Sequence, residues 1–135
     1  MNYVYWAMEV NTHEKADARL LGTPILLEKG TAVVELTATE EMTIDDRGLI
    51  HGGFTFGLAD YAAMLAVNDP LVVLGSADVK FTAPVKVGER MTATGVVEAV
   101  KGWRRGVSVE VSVGEKVVLK GTMACYVLQR HVLDK

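Results

Sequence analysis

The chain carries a single cysteine, Cys125. That excludes an internal disulfide and a cysteine-rich metal site, and it suits a reducing cytoplasm. No apolar run reaches the ~20 residues that a membrane-spanning helix needs. The first residues, Met1-Asn2-Tyr3-Val4-Tyr5-Trp6, lack the basic-then-apolar order of a secretory signal. Basic residues are not in excess. Lys and Arg number 14 against 17 Asp and Glu, and the formal net charge of -3 argues against nonspecific nucleic-acid binding. No repeat, low-complexity tract or linker interrupts the 135 residues, so one domain is expected. Motif fragments also fall short. His13-Glu14-Lys15-Ala16-Asp17 lacks the second histidine of a zinc-protease helix, and Gly75-Ser76-Ala77 lacks the second glycine of a hydrolase elbow. His13 and His131 read as exposed residues of the terminal regions, without a role.

What is present centres on Leu49 to Asn68. A turn signal, His51-Gly52-Gly53, opens a largely apolar run of helical length, which one carboxylate, Asp60, interrupts two turns later. An isolated buried carboxylate is costly. Asp60 therefore either has partners or lies where a substrate completes its surroundings. Two glycines before a helix let its first N–H groups approach a ligand closely. The exposed donors and the helix dipole favour an anion, or a developing oxyanion, at that point. The plain alternatives are a satisfied helix carboxylate and a tight turn.

The remaining elements form a sheet around this helix. Residues 1–22 are expected to be an N-terminal extension, with a short helix from Thr12, its N-cap, to Leu21, stopped by Gly22. Strands are predicted at Pro24–Glu28 and Thr31–Thr39, followed by an acidic loop from Glu40 to Gly48. The helix runs from about Gly53 to Val67. Phe54, Leu58, Tyr61 and Leu65 share one face, with small residues over much of the rest, and Asn68-Asp69-Pro70 ends it. Four more strands are predicted at Leu71–Phe81, Arg90–Val100, Gly106–Val113 and Lys116–Gln129. In the third, Val107, Val109 and Val111 alternate with Ser108, Glu110 and Ser112. The class is α+β: an antiparallel sheet wrapped around one long central helix. A helix apolar on nearly all sides and a sheet with unpaired edges both favour a second subunit.

This order of elements, with His51-Gly52-Gly53 and then Asp60, resembles the hotdog fold, and within it the PaaI-like acyl-CoA thioesterases. Val79-Lys80-Phe81-Thr82-Ala83-Pro84, followed by Gly88-Glu89, is similar to that family's strand ending in Phe-x-x-Pro and its glycine turn. Lys101-Gly102-Trp103-Arg104-Arg105-Gly106 resembles its basic turn. The resemblance covers roughly residues 24 to 128. It implies that Asp60 is the general base or nucleophile, that the Gly52 N–H polarises the thioester carbonyl, and that His51 positions the thioester. It also implies that each site forms across a dimer interface, so the expected assembly is a homodimer, paired further into a homotetramer. The substrate would be an acyl-CoA, with no metal, no other cofactor, and no nucleic-acid or membrane partner.

Asp45, Gly53, Tyr61 and Phe81 are candidate substrate-binding residues beside this set. Lys101, Arg104 and Arg105, the densest basic cluster, are candidates for the CoA phosphates, with Trp103 placed to stack on adenine. The plain alternative is a solvated hairpin turn. Two departures stand out. Many relatives have Asn where this chain has Asp45, and some have Ser where it has Leu74. A second carboxylate near the substrate would repel Asp60. Cys125 shares a strand face with Met123 and Val127 and reads as core. The alternative functions are a hotdog enoyl-CoA hydratase or dehydratase and a noncatalytic acyl-CoA-binding protein.

Overall fold

In the computed structural model, which describes residues 5–6 and 8–134, the apolar run after Ile50 forms helix α2, Gly52–Val67. From Leu58 to Ala66 every residue except Asp60 is buried. That pattern leaves no polar face for solvent, as the composition of the run requires. Asn68 stops the helix in the left-handed conformation, φ 54° and ψ 39°, with its N–H donating to the Met64 carbonyl at 2.8 Å.

A seven-stranded sheet curls around α2. Its strands are β1 (Tyr5–Trp6), β2 (Thr23–Glu28), β3 (Thr31–Thr37), β4 (Val72–Phe81), β5 (Arg90–Lys101), β6 (Arg104–Val113) and β7 (Lys116–Val127), in the spatial order β1-β2-β3-β5-β6-β7-β4. Among the described residues only the β1–β2 pair is parallel. This is the hotdog arrangement that the resemblance implies. The alternation read in β6 holds: Val107, Val109 and Val111 are buried, and Ser108, Glu110 and Ser112 are more open. The β5–β6 connection is tighter than expected. Gly102, at φ 58°, turns the chain in two residues, so Lys101, Arg104 and Arg105 lie in strands.

Helix α2 packs on β3, β5 and β6. The closest approach is at Gly95 of β5, where a Cβ would sit 2.7 Å from the Ala62 carbonyl oxygen and 3.1 Å from the Ala63 nitrogen. The obstacle is backbone, which cannot swing aside as a side chain can. Gly95→Ala is therefore expected to cost about 1–3 kcal/mol, which thermal unfolding would read as a melting temperature lower by about 5 °C or more.

The N-terminal segment departs from expectation. Helix α1 is only Ala18–Leu21, capped by Asp17, whose side chain accepts from the Arg19 N–H. Thr12 caps nothing. Its hydroxyl bonds the His13 ring, and His13 takes a left-handed φ of 55°, which a continuing helix does not allow. Side chain–backbone contacts hold this segment instead. Asn68 accepts from the Asn11 N–H and donates to the Glu9 carbonyl, both at 2.8 Å.

Among the described residues, strand β4 pairs only with β7 and forms one edge of the sheet. Its middle, Gly75 to Asp78, is exposed, as is Phe81.

Candidate active site

Two features of α2 make a site: how it begins, and what it carries eight residues later. His51 is the N-cap, with extended backbone, φ -62° and ψ 131°. Its ring takes the capping role usual for serine or aspartate. Nδ1 accepts from the Gly53 N–H at 2.7 Å, so the neutral ring carries its proton on Nε2. A side chain at residue 53 would collide with the ring, since a Cβ there lies 2.8 Å from Nδ1. That is a local reason for glycine at this position. The Gly52 N–H, by contrast, has no acceptor among the described residues.

Two cavities flank this helix start. One, about 420 Å³, is bounded by Gly52, Thr55, Phe81, Pro84 and Val85. The Phe81 ring closes it against Gly52, 3.3 Å from where a Cβ would stand. The other, about 600 Å³, is walled by Leu20, Leu21, His51, Gly53 and Phe54. The first cavity gives the unpaired Gly52 donor a small space beside an aromatic ring. The second is broader and mostly apolar.

Asp60 lies about 12 Å further along the helix axis, so it does not reach a group held at Gly52 of its own subunit. Its Oδ1 is buried and has no hydrogen-bond partner among the described residues. Burial raises its pKa above the ordinary carboxylate value, and the opposing influence is His13. Its charge also acts on Cys125 of β7, which pairs with Leu74 of the edge strand. Burial first, and then the Asp60 charge, push the Cys125 thiol up to about 11, with Arg104 opposing. A buried thiol held in its protonated form is not a nucleophile, in keeping with its reading as core. Asp60 is thus an unsatisfied carboxylate close to the β4 edge.

The other predicted residues are dispersed. Tyr61 is 7% exposed and belongs to the core; its ring centroid lies 6.3 Å from that of His13. Asp45 shapes its own loop, since one oxygen accepts from the N–H groups of Arg47 at 2.9 Å and Leu49 at 3.1 Å. It is not among the charges acting on Asp60 within the subunit. Lys101, Arg104 and Arg105 flank the β5–β6 turn, where the Arg105 guanidinium donates to the Gly102 carbonyl at 2.7 Å. Through β7, Arg104 registers with Val73 and lies opposite Tyr126. Phe81 is eight residues down β4 from Val73, about 26 Å away. The basic cluster and Gly52 therefore occupy opposite ends of one subunit.

Reading the sequence alone gave His13 as exposed, which it is, but not its influence on Asp60. Nothing in its local pattern marks it. The Asn68 side chain, 55 residues away in the chain, secures the segment before it, and the His13 charge opposes the effect of burial on Asp60.

This fold, with a capped glycine helix start and a helix carboxylate, defines a hotdog thioesterase domain. The chain belongs to the thioesterase superfamily, whose family model matches residues 47–120. Within that superfamily it is PaaI-like. A mutant of the phenylacetic acid degradation protein PaaI from Thermus thermophilus is 30% identical, with a TM-score of 0.74 over 82% of this chain and 97% of that one. An uncharacterized protein from Pyrococcus horikoshii is 54% identical, with a TM-score of 0.93 over 94% and 98% of the two chains. The chain spans only part of its curated relatives. Methylthioribose-1-phosphate isomerase from Aquifex aeolicus is 46% identical over 84% of this chain but 25% of that protein. Transcription factor FapR from Bacillus velezensis is 34% identical over 79% of this chain and 58% of that protein.

Proposed function

We propose that this protein hydrolyses acyl-CoA thioesters in the cytoplasm, at sites that two copies complete for each other. The observation that carries the reading is the separation on α2. A free N–H donor and an unsatisfied carboxylate belong to one chemistry but lie too far apart in one subunit. A twofold, antiparallel pairing of β4 edges resolves this. It sets the Val72 end of one strand beside the Phe81 end of the other. Asp60 and Arg104 of one subunit then approach the Gly52 helix start of its partner. Two such dimers pack into a homotetramer.

In this scheme the thioester carbonyl accepts from the Gly52 N–H, while the His51 Nε2–H helps to orient it. The apolar cavity beside Phe54 takes the acyl group, and the basic turn meets the phosphates of CoA. Asp60 removes a proton from water as the water oxygen bonds to the carbonyl carbon. The carbon–sulfur bond then breaks, and the thiolate leaves with the proton that Asp60 returns. The alternative is direct attack by the carboxylate, giving an anhydride that water opens. In both, charge develops on the carbonyl oxygen where donors are already in place. The raised pKa of Asp60 strengthens it as a base once it is ionised.

The likeness to FapR supports a second reading, a noncatalytic acyl-CoA binder. A panel of acyl-CoAs with a thiol-reactive dye separates the two. Thiol release dependent on Asp60 supports hydrolysis. Calorimetric binding without release supports the binder. Loss of enoyl-CoA absorbance without release would point to a hydratase and contradict both.

A further inference from the structure

We propose that Leu21 of α1 is the end wall of the acyl cavity, seated on the bare backbone of α2 at Gly57, and that it sets the longest acyl group the protein accepts. This rests on the hydrolysis proposed above and deepens it by naming a residue that selects the substrate. Leu21 lies outside residues 47–120, the stretch that the family model matches.

Gly53, Gly57 and Asp60 recur at offsets of four and three, so they share one face of α2. The cavity of about 600 Å³ opens on that face at Gly53, beside His51 and Phe54. One turn further, about 6 Å along the axis, the face carries no side chain, because residue 57 is glycine. Leu21 takes that place. A Cβ at residue 57 would stand 3.2 Å from Leu21 Cδ2, closer than two carbons normally pack. Glycine thus lets the leucine settle against α2 between the helix start and Asp60.

Leu21 is held there by its neighbours. Asp17 caps α1, and its side chain accepts from the Arg19 N–H at 2.9 Å. The Arg19 guanidinium donates to Glu41, in the loop before α2. Gly22 then passes where no side chain fits. At its φ of 102°, a Cβ would stand 2.8 Å from the Glu35 carbonyl oxygen and 2.9 Å from Leu58 Cδ1. The chain after Leu21 is pressed between β3 and α2, so the leucine is a fixed wall and not a loose rim.

The cavity suits an apolar tail. Leu20, Leu21 and Phe54 supply its apolar surface, and Asp17, which also lines it, is engaged by Arg19. With the thioester carbonyl at Gly52 and His51, the acyl chain runs from that end toward α1. Each further methylene gains affinity while apolar surface remains to receive it, and costs affinity once the chain end meets Leu21.

The test is kcat/KM for thiol release across straight-chain saturated acyl-CoAs of increasing length. Leu21→Ala removes the wall and bares α2 at Gly57, so the preferred length should increase. The rate for the first chain too long for wild type, relative to that for the chain wild type prefers, should rise about tenfold or more. Leu21→Val withdraws the same contact with less loss of packing and should shift the profile in the same direction. Leu21→Phe extends the wall into the cavity and should shift it toward shorter chains. Thiol release with an unchanged length profile, or with a loss equal at every length, overturns the proposal and leaves hydrolysis standing. Calorimetric binding of the same acyl-CoAs, in Asp60→Asn with and without Leu21→Ala, reads the wall without turnover. The tightest-binding length should increase when Leu21 is cut back, and an unchanged length overturns the wall. A shift in binding by a protein whose wild type releases no thiol would keep the wall and remove hydrolysis.

Discussion

Asp60→Asn is expected to lower thiol release from acyl-CoA by about 100-fold or more while leaving the melting temperature at pH 7 unchanged or raised. The rate loss follows from removing the base, since a positioned proton acceptor contributes on that order. The stability follows from burial. Asp60 has an oxygen without a partner among the described residues, and its pKa is raised mainly by desolvation. An acid with a raised folded-state pKa contributes stability that is full below its unfolded value, here 3.8, and is lost as the pH climbs through the folded value. Asparagine has no proton to lose and does not suffer that loss. The advantage of the variant in melting temperature should therefore grow from acidic toward neutral pH. A carboxylate kept only for structure would behave in the opposite way, with its removal destabilising the fold most near neutrality.

Gly52→Pro is expected to cost about 100-fold to 1000-fold in kcat, the loss associated with one oxyanion donor, without unfolding the protein. Proline removes one N–H and nothing else that the fold uses here. Residue 52 is the first of α2, where proline is favoured because its missing donor has no helical acceptor. His51 already holds the extended backbone that a residue before proline prefers. The pyrrolidine ring would press on Phe81, 55% exposed in the single chain, and the Gly52→Ala variant described next reports what that pressure alone costs. Gly52→Ala supplies the control. It places a Cβ against the same ring but keeps the N–H, so it should retain most of the activity that the proline variant loses. Equal losses in the two variants would mean that space, not the donor, matters at residue 52.

The parts legible in the sequence were those with local causes. The start of α2 is written in His51-Gly52-Gly53, its end in Asn68-Asp69-Pro70, and its burial in a run with one charge. The strands show because their apolar residues alternate, as in β6. The catalytic candidates followed from the cost of Asp60 among apolar neighbours. The N-terminal segment was misread because its structure has distant causes. Thr12 looks like a cap and the residues after it suit a helix, but the bonds from Asn68 and the left-handed turn at His13 override that propensity. Tyr61, a candidate binding residue, is placed in the core by its helical phase, with its ring 6.3 Å from that of His13.

Subunit complementation tests the shared site most directly. Asp60→Asn and Gly52→Pro, each inactive alone, are mixed and allowed to exchange, with native mass spectrometry confirming mixed dimers. A site built from Gly52 of one subunit and Asp60 of the other leaves each mixed dimer one intact site of two, so random exchange should restore about a quarter of wild-type thiol release. Mixed dimers that form and remain inactive would contradict it.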